Sequence, residues 1–144
     1  MIILDTNVVS EPLKPEPNAS VLRWLDAQDP QTLFLTTISL AELLVGIELL
    51  PTGRRKDALA QPLSTQVLAL FGDRVLSMDV RAAACFAKAR AGAQSQGNTV
   101  GFADCAIAAI ALAQGFVVAT RNTRDFLGCG VDLIDPWVAT RPTV

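Results

Sequence analysis

The sequence predicts an α/β sandwich with a largely parallel sheet, and two observations carry that prediction. Short apolar runs such as "IILD" and "FVVAT" alternate with longer alanine- or leucine-rich stretches of helical character. The composition also suits a self-sufficient core. Of 144 residues, 51% are hydrophobic and 18% charged, which fits one domain over residues 1–144.

Each element follows in order. Residues 2–5 read as a short buried strand. "KPEPNAS" is a Pro-rich turn ending on an N-cap signal, and "VLRWLDAQ" then has the pattern of a short amphipathic helix. "TLFLTTI" is a second strand. "SLAELLVGIELL" is a helix opened at Ser39 and closed near Pro51, Thr52 and Gly53. From Arg54 a longer helix is expected toward Phe71, kinked or broken at Pro62, which lacks an amide proton. "RVLSMD" has weak strand character, and "VRAAACFAKARAGAQSQG" is helical as far as Gly97 and Asn98. "VGFADCAIAAIALAQG" is the strongest helix, stopped by Gly115. "FVVAT" and "VDLIDPW" supply the last strands.

Composition excludes much chemistry. The chain contains no histidine, which removes Ser-His-Asp and Cys-His nucleophilic systems and His-ligated zinc. Cys85, Cys105 and Cys129 are widely spaced and fit reduced thiols better than a disulfide framework. No stretch reaches the roughly 20 strongly apolar residues of a membrane span, so no membrane is expected. No basic leader with an apolar core opens the chain, and the cytoplasm is the expected location. A net charge of −2 and a pI near 5.0 argue against nucleic-acid binding through broad positive charge. Two local clusters, Arg54-Arg55-Lys56 and Arg121 with Arg124, have the charge to meet phosphates, although solvated loops explain each one alone.

Four acids sit awkwardly. Asp104 shares a helix face with Ile107, Ala108 and Ala111, deep enough in the helix that capping does not explain it. An unpaired carboxylate on such a face costs several kcal/mol, unless a neighbouring amide or hydroxyl satisfies it. Glu42 stands in Ser39-Leu40-Ala41-Glu42, a formal capping box, which would explain it structurally. Yet it is surrounded by leucines, with Gly46 one turn on allowing close approach. Asp5 ends the "IIL" strand, and "FVVAT" delivers Asp125 just beyond its own carboxyl end. Ligands bind outside those ends in open α/β sheets. The plainer readings are a local turn for Asp5 and a solvent-facing acid for Asp125. If the four acids converge to about 5 Å, each like-charge pair costs about 3 kcal/mol at an effective dielectric near 20. A divalent cation would relieve this, and all-oxygen ligands favour Mg2+ or Mn2+.

"IILDTNVVSE", "ISLAELLVGI", "FADCAIAAIA" and "ATRNTRDF" resemble, in order and spacing, the acidic motifs of PIN-domain ribonucleases. The closest likeness is to VapC toxins of the FitB-like group from bacterial toxin–antitoxin pairs, and it runs from Met1 to about Trp137. The resemblance implies a three-layer α/β/α sandwich, a homodimer, and a Mg2+- or Mn2+-dependent endoribonuclease leaving a 5′-phosphate and a 3′-hydroxyl. It implies a small VapB/FitA-like antitoxin as partner, with DNA contacted only through that antitoxin. Carried onto this chain, the metal-binding and catalytic acids are Asp5, Glu42 and Asp104, with Asp125 as the looser fourth. Many relatives carry an acid near the position of Asn122, so the resemblance leaves the fourth role split between Asn122 and Asp125 or partly lost. Asn7 and Thr120 are expected to orient the acids, and Arg121 or Arg124 to steady the scissile phosphate.

A competing expectation is a catalytically weak or dead PIN module that binds RNA or joins a repressor complex. Apolar residues of the N-terminal half (Val21, Leu22, Trp24, Leu49, Leu50) are expected to contribute an exposed patch for a twofold partner or an antitoxin helix.

Overall fold

The computed structural model describes residues 1–138, apart from the side chains at 59 and 61–64; residues 139–144, the end of the expected domain, lie outside the described residues. Five parallel strands form one sheet in the order β3-β2-β1-β4-β5, with β1 at Ile2–Leu4, β2 at Leu33–Thr36, β3 at Val75–Leu76, β4 at Val117–Ala119 and β5 at Leu133–Ile134.

Alternation along these strands divides the interior in two. Ile3, Phe34, Leu76, Val118 and Leu133 face one side of the sheet, and their sequence neighbours Ile2, Leu4, Leu35, Val75 and Ala119 face the other. The first side is covered by α6 (Val80–Ser95) and α7 (Phe102–Gln114), through Ala82, Ala89, Ala93, Ile107 and Ile110. The second is covered by α1 (Thr6–Ser10), α2 (Ala19–Asp26) and α5 (Leu68–Phe71), through Val8, Val21, Trp24 and Phe71. Helices on both faces are what an all-parallel sheet requires, because neither face tolerates water. Full burial of an aliphatic side chain such as Ile3 or Leu35 contributes roughly 1.5–3 kcal/mol.

The boundaries differ instructively from the sequence reading. α3 (Thr37–Glu48) starts two residues earlier than Ser39, because the Thr36 hydroxyl accepts the Ser39 N–H at 3.1 Å and is the N-cap. α2 likewise starts two residues before its expected beginning at Val21, because Asn18, and not Ser20 at the end of "KPEPNAS", caps it by accepting the Ser20 and Val21 N–H groups. The expected helix from Arg54 does change at Pro62. α4 (Arg54–Gln61) passes into a π-helical turn over Pro62–Val67 before α5 resumes, since proline has no amide proton to donate to the i−4 carbonyl. Val21 and Trp24 are core residues and not part of an exposed patch: the α2 moment turns both inward. Leu49 stays 79% exposed and Val45 55% exposed, so the open apolar face belongs to α3.

One glycine fixes a close approach. Gly128 has φ +84°, and a Cβ there would lie 2.8 Å from Ala93 Cα on α6. Only glycine lets the loop beyond β4 pack this tightly onto α6. Among the described residues, no helix is long and apolar enough to cross a membrane.

Candidate metal centre

The sheet order reverses direction at β1 and β4, which pair through Leu4 and Ala119. That is the topological switch point, where an open parallel sheet leaves a crevice at its carboxyl edge. Asp5 and Thr120 are the next residues on each strand. The Asp5 N–H donates to the Ala119 carbonyl at 2.9 Å, extending the ladder by one step before the chain turns into α1.

Asp5 is both an N-cap and a site residue. Its Oδ1 accepts the Thr6 N–H at 2.8 Å, capping α1. Its Oδ2 accepts the Thr120 hydroxyl at 2.8 Å and the Asn7 amide at 3.1 Å. The local-turn reading is thus true of Asp5 through Oδ1, while Oδ2 is held by Thr120, next after β4, and by Asn7 of α1. Asp5 is 4% exposed, and burial pushes its pKa upward against the hydrogen bonds from Thr120, Thr6 and Asn7, with Asp125 adding repulsion.

Glu42 lies on an exposed turn of α3, and its Oε1 accepts the Thr6 hydroxyl at 2.8 Å. The capping box is not formed. With Thr36 as the cap, Glu42 sits too far into the helix to reach back, and its side chain turns toward α1 instead. Gly46 lines the same groove of about 320 Å³ as Glu42, Thr6 and Arg55.

Asp104 is placed differently from its sequence reading. α7 begins at Phe102, capped by Gly101, so Asp104 stands in the first turn and is half-buried at the mouth of an otherwise buried helix. Its carboxylate accepts no hydrogen bond among the described residues. Burial, and then repulsion from Asp5, Asp125 and Glu42, push its pKa up to about 6. Those three acids therefore lie within electrostatic range of Asp104. Asp125 is exposed on the short 3-10 turn Thr123–Phe126 that follows β4.

Ion pairs among the described residues are Lys14–Glu11 and Lys56–Glu48, so neither lysine nor arginine neutralises any of the four acids. Also among the described residues, no three Cys, Asp or Glu side chains are gathered tightly enough to hold an ion as they stand. The donor set is nonetheless all oxygen, anionic and unpaired at Asp104, which fits a hard divalent cation. The surrounding residues hold the frame. Asn7 bridges Asp5 to the Arg121 N–H, accepted by Asn7 Oδ1 at 3.1 Å, and Thr120 Oγ1 accepts the Asn122 N–H at 3.0 Å. Asn122 is exposed at the head of the 3-10 turn and Arg124 is exposed within it. Arg121 lies over the Trp137 ring, 5.2 Å from its centroid.

Sequence reasoning passed over α1, Thr6 and Trp137. The signal for the first two was present in "LDTN", where an aspartate directly before a threonine is an N-cap as well as a strand end.

Comparison with known proteins gives a consistent picture. A family model described as PIN domain matches residues 2–127. The chain is 50% identical over 139 residues to the plasmid stability protein StbB of Pseudomonas syringae pv. tomato, covering 96% of this chain and 100% of that one. It is 45% identical to the VapC ribonuclease Y4jK of Sinorhizobium fredii, with 95% and 98% covered. It is 42% identical to the toxin FitB of Neisseria gonorrhoeae, with 95% and 99% covered. Among solved structures, FitAB bound to an IR36 DNA fragment matches with a TM-score of 0.93 at 39% identity, over 98% of this chain and 99% of that one.

Proposed function

Because this chain belongs to the PIN-domain family, we propose that it is a divalent-metal-dependent endoribonuclease, the toxin of a bacterial toxin–antitoxin pair, working in the cytoplasm as one domain over residues 1–144. The observation that carries this reading is the Asp104 carboxylate, which has no hydrogen-bond partner among the described residues and lies within electrostatic range of Asp5, Glu42 and Asp125. The relatives named VapC ribonuclease and toxin FitB support it.

Asp5, Asp104, Glu42 and Asp125 would hold the cation; Mg2+ or Mn2+ bound there would supply charge neutralisation and a nucleophilic water for phosphodiester hydrolysis. Thr120 and Asn7 fix the rotamer of Asp5, so its carboxylate keeps one orientation. Thr6 holds Glu42 through Oε1, which leaves Oε2 to accept a proton from the attacking water. Asp104, near the amino end of α7, is favoured in its ionised form by the helix dipole and disfavoured by its neighbours. Arg124 stands exposed beside Asp125, where it would meet a phosphate of the RNA.

The partner reading rests on the α3 face. Leu44, Val45 and Leu49 are exposed on it beside the groove that holds Glu42, and we assign this region to homodimer and antitoxin contacts. DNA would be reached only through the antitoxin, and FitAB bound to DNA is the supporting likeness.

The test is Mn2+-dependent cleavage of RNA by the wild type, Asp5→Asn and Asp104→Asn, with circular dichroism to verify folding. Loss of cleavage in both folded variants is expected. Full cleavage by the folded double variant overturns the proposal.

A further inference from the structure

Arg121 follows Thr120, the residue whose hydroxyl holds Asp5, and is joined to the site a second time through Asn7. The Asn7 side chain donates to Asp5 Oδ2 and accepts from the Arg121 N–H, each at 3.1 Å. One amide thus sets the Arg121 backbone relative to the acid at the switch point. The exposed guanidinium lies over the Trp137 ring at 5.2 Å from its centroid. Trp137 is also held in place. It packs half-buried against the core that contains Ile2, Leu4 and Ala119, and its backbone N–H donates to Asp135 Oδ1 at 2.9 Å.

The Arg121 charge reaches Glu11 without forming an ion pair with it. Among the described residues it makes no ion pair, and nearby Glu11 is already engaged by Lys14 at 2.8 Å and by the Asn18 N–H at 2.9 Å. A cation seated on an aromatic ring offers a planar, positively charged surface, and nucleobases stack on both arginine planes and aromatic rings. Resting on the ribonuclease reading above, we infer that Arg121 and Trp137 form a stacking platform for an unpaired nucleobase of the RNA, flanking the phosphate presented to the acids. The platform adds a contact that is planar and tolerant of sequence, and it offsets the acidic character of the rest of the pocket.

The experiment uses the full chain and a short single-stranded RNA of mixed sequence, first in EDTA so that nothing is cut. RNA should quench tryptophan emission of the wild type, while Trp137→Phe, left with buried Trp24, should show no quench. Arg121→Ala should bind the RNA about tenfold more weakly, the scale of one lost stacking contact. With Mn2+ added, the same variant should raise KM by about that factor. Scanning an abasic site along the RNA should find one position that costs the wild type the same factor and costs Arg121→Ala nothing more. Equal quenching in Trp137→Phe overturns the proposal, and so does an Arg121→Ala loss that stays the same at every abasic position. A Trp137 signal that ignores RNA and moves only with a co-purified partner protein assigns the pair to that partner, and also overturns it. The EDTA arms read stacking whether or not the protein cuts RNA, so a failed ribonuclease reading is separable from a failed platform.

Discussion

Thr6 and Glu42, 36 residues apart, are joined by a hydrogen bond of 2.8 Å from the threonine hydroxyl to Glu42 Oε1. The bond links the first turn of α1, capped by Asp5, to the second turn of α3. Two acids contributed by different strands' crossovers are thereby indexed to each other through one hydroxyl.

Thr6→Val removes that hydroxyl and nearly keeps the side chain's shape. Because the bond is exposed, stability should change by less than about 1 kcal/mol. Metal affinity or cleavage should fall by about tenfold or more, the usual cost of losing a group that orients a ligand. Calorimetric titration with Mn2+, alongside a thermal melt, separates the two effects.

Thr120→Val should act mainly on stability. Thr120 is fully buried, and its hydroxyl satisfies Asp5 Oδ2 while accepting the Asn122 N–H. Removing it leaves buried polar groups short of a partner at a cost of about 1–3 kcal/mol. Urea denaturation should report that loss, and a midpoint equal to wild type would contradict it.

The pH dependence follows from Asp104. Its pKa is raised from 3.8 to about 6, so the folded, metal-free protein holds that proton more tightly than the unfolded chain does. The associated stability is fully present below pH 3.8 and is lost as pH rises through about 6. A cation must displace the same proton, so Mn2+ affinity should climb toward pH 6 and level above it. Denaturation and Mn2+ titration between pH 5 and pH 7 should show opposite slopes in the wild type, and Asp104→Asn should remove this contribution to both.

Gly128→Ala should destabilise the protein by about 1–3 kcal/mol, since it combines a positive φ with overpacking. The new methyl would meet Ala93 Cα at 2.8 Å and lift the segment that carries Asp125 away from α6. A lowered melting temperature is the expected result. An unchanged one would show that the loop can move without cost.

Much of this architecture was readable beforehand because periodicity is a local property. "IILD" and "FVVAT" announce buried strands, and the sheet places their ends side by side. Asp104 stands out in the sequence as an acid beside core residues, but its place in the first turn of α7 does not. Helix starts depend on backbone angles at a single residue, and Gly101 gives no side-chain signal. The Ser39 capping box failed likewise: Thr36 competed for the same amide and won by standing at the strand's last position. Contacts such as Thr6 with Glu42 and Arg121 with Trp137 join residues far apart in the chain, and no window of sequence contains both members.

The double duty of Asp5 has a spectroscopic consequence. The Thr6 amide proton points at Asp5 Oδ1, on the same carboxylate that would meet an arriving ion. Its nitrogen–proton resonance should therefore shift early in a titration with a diamagnetic ion such as Mg2+, giving a built-in gauge of occupancy that needs no label, no substrate and no turnover.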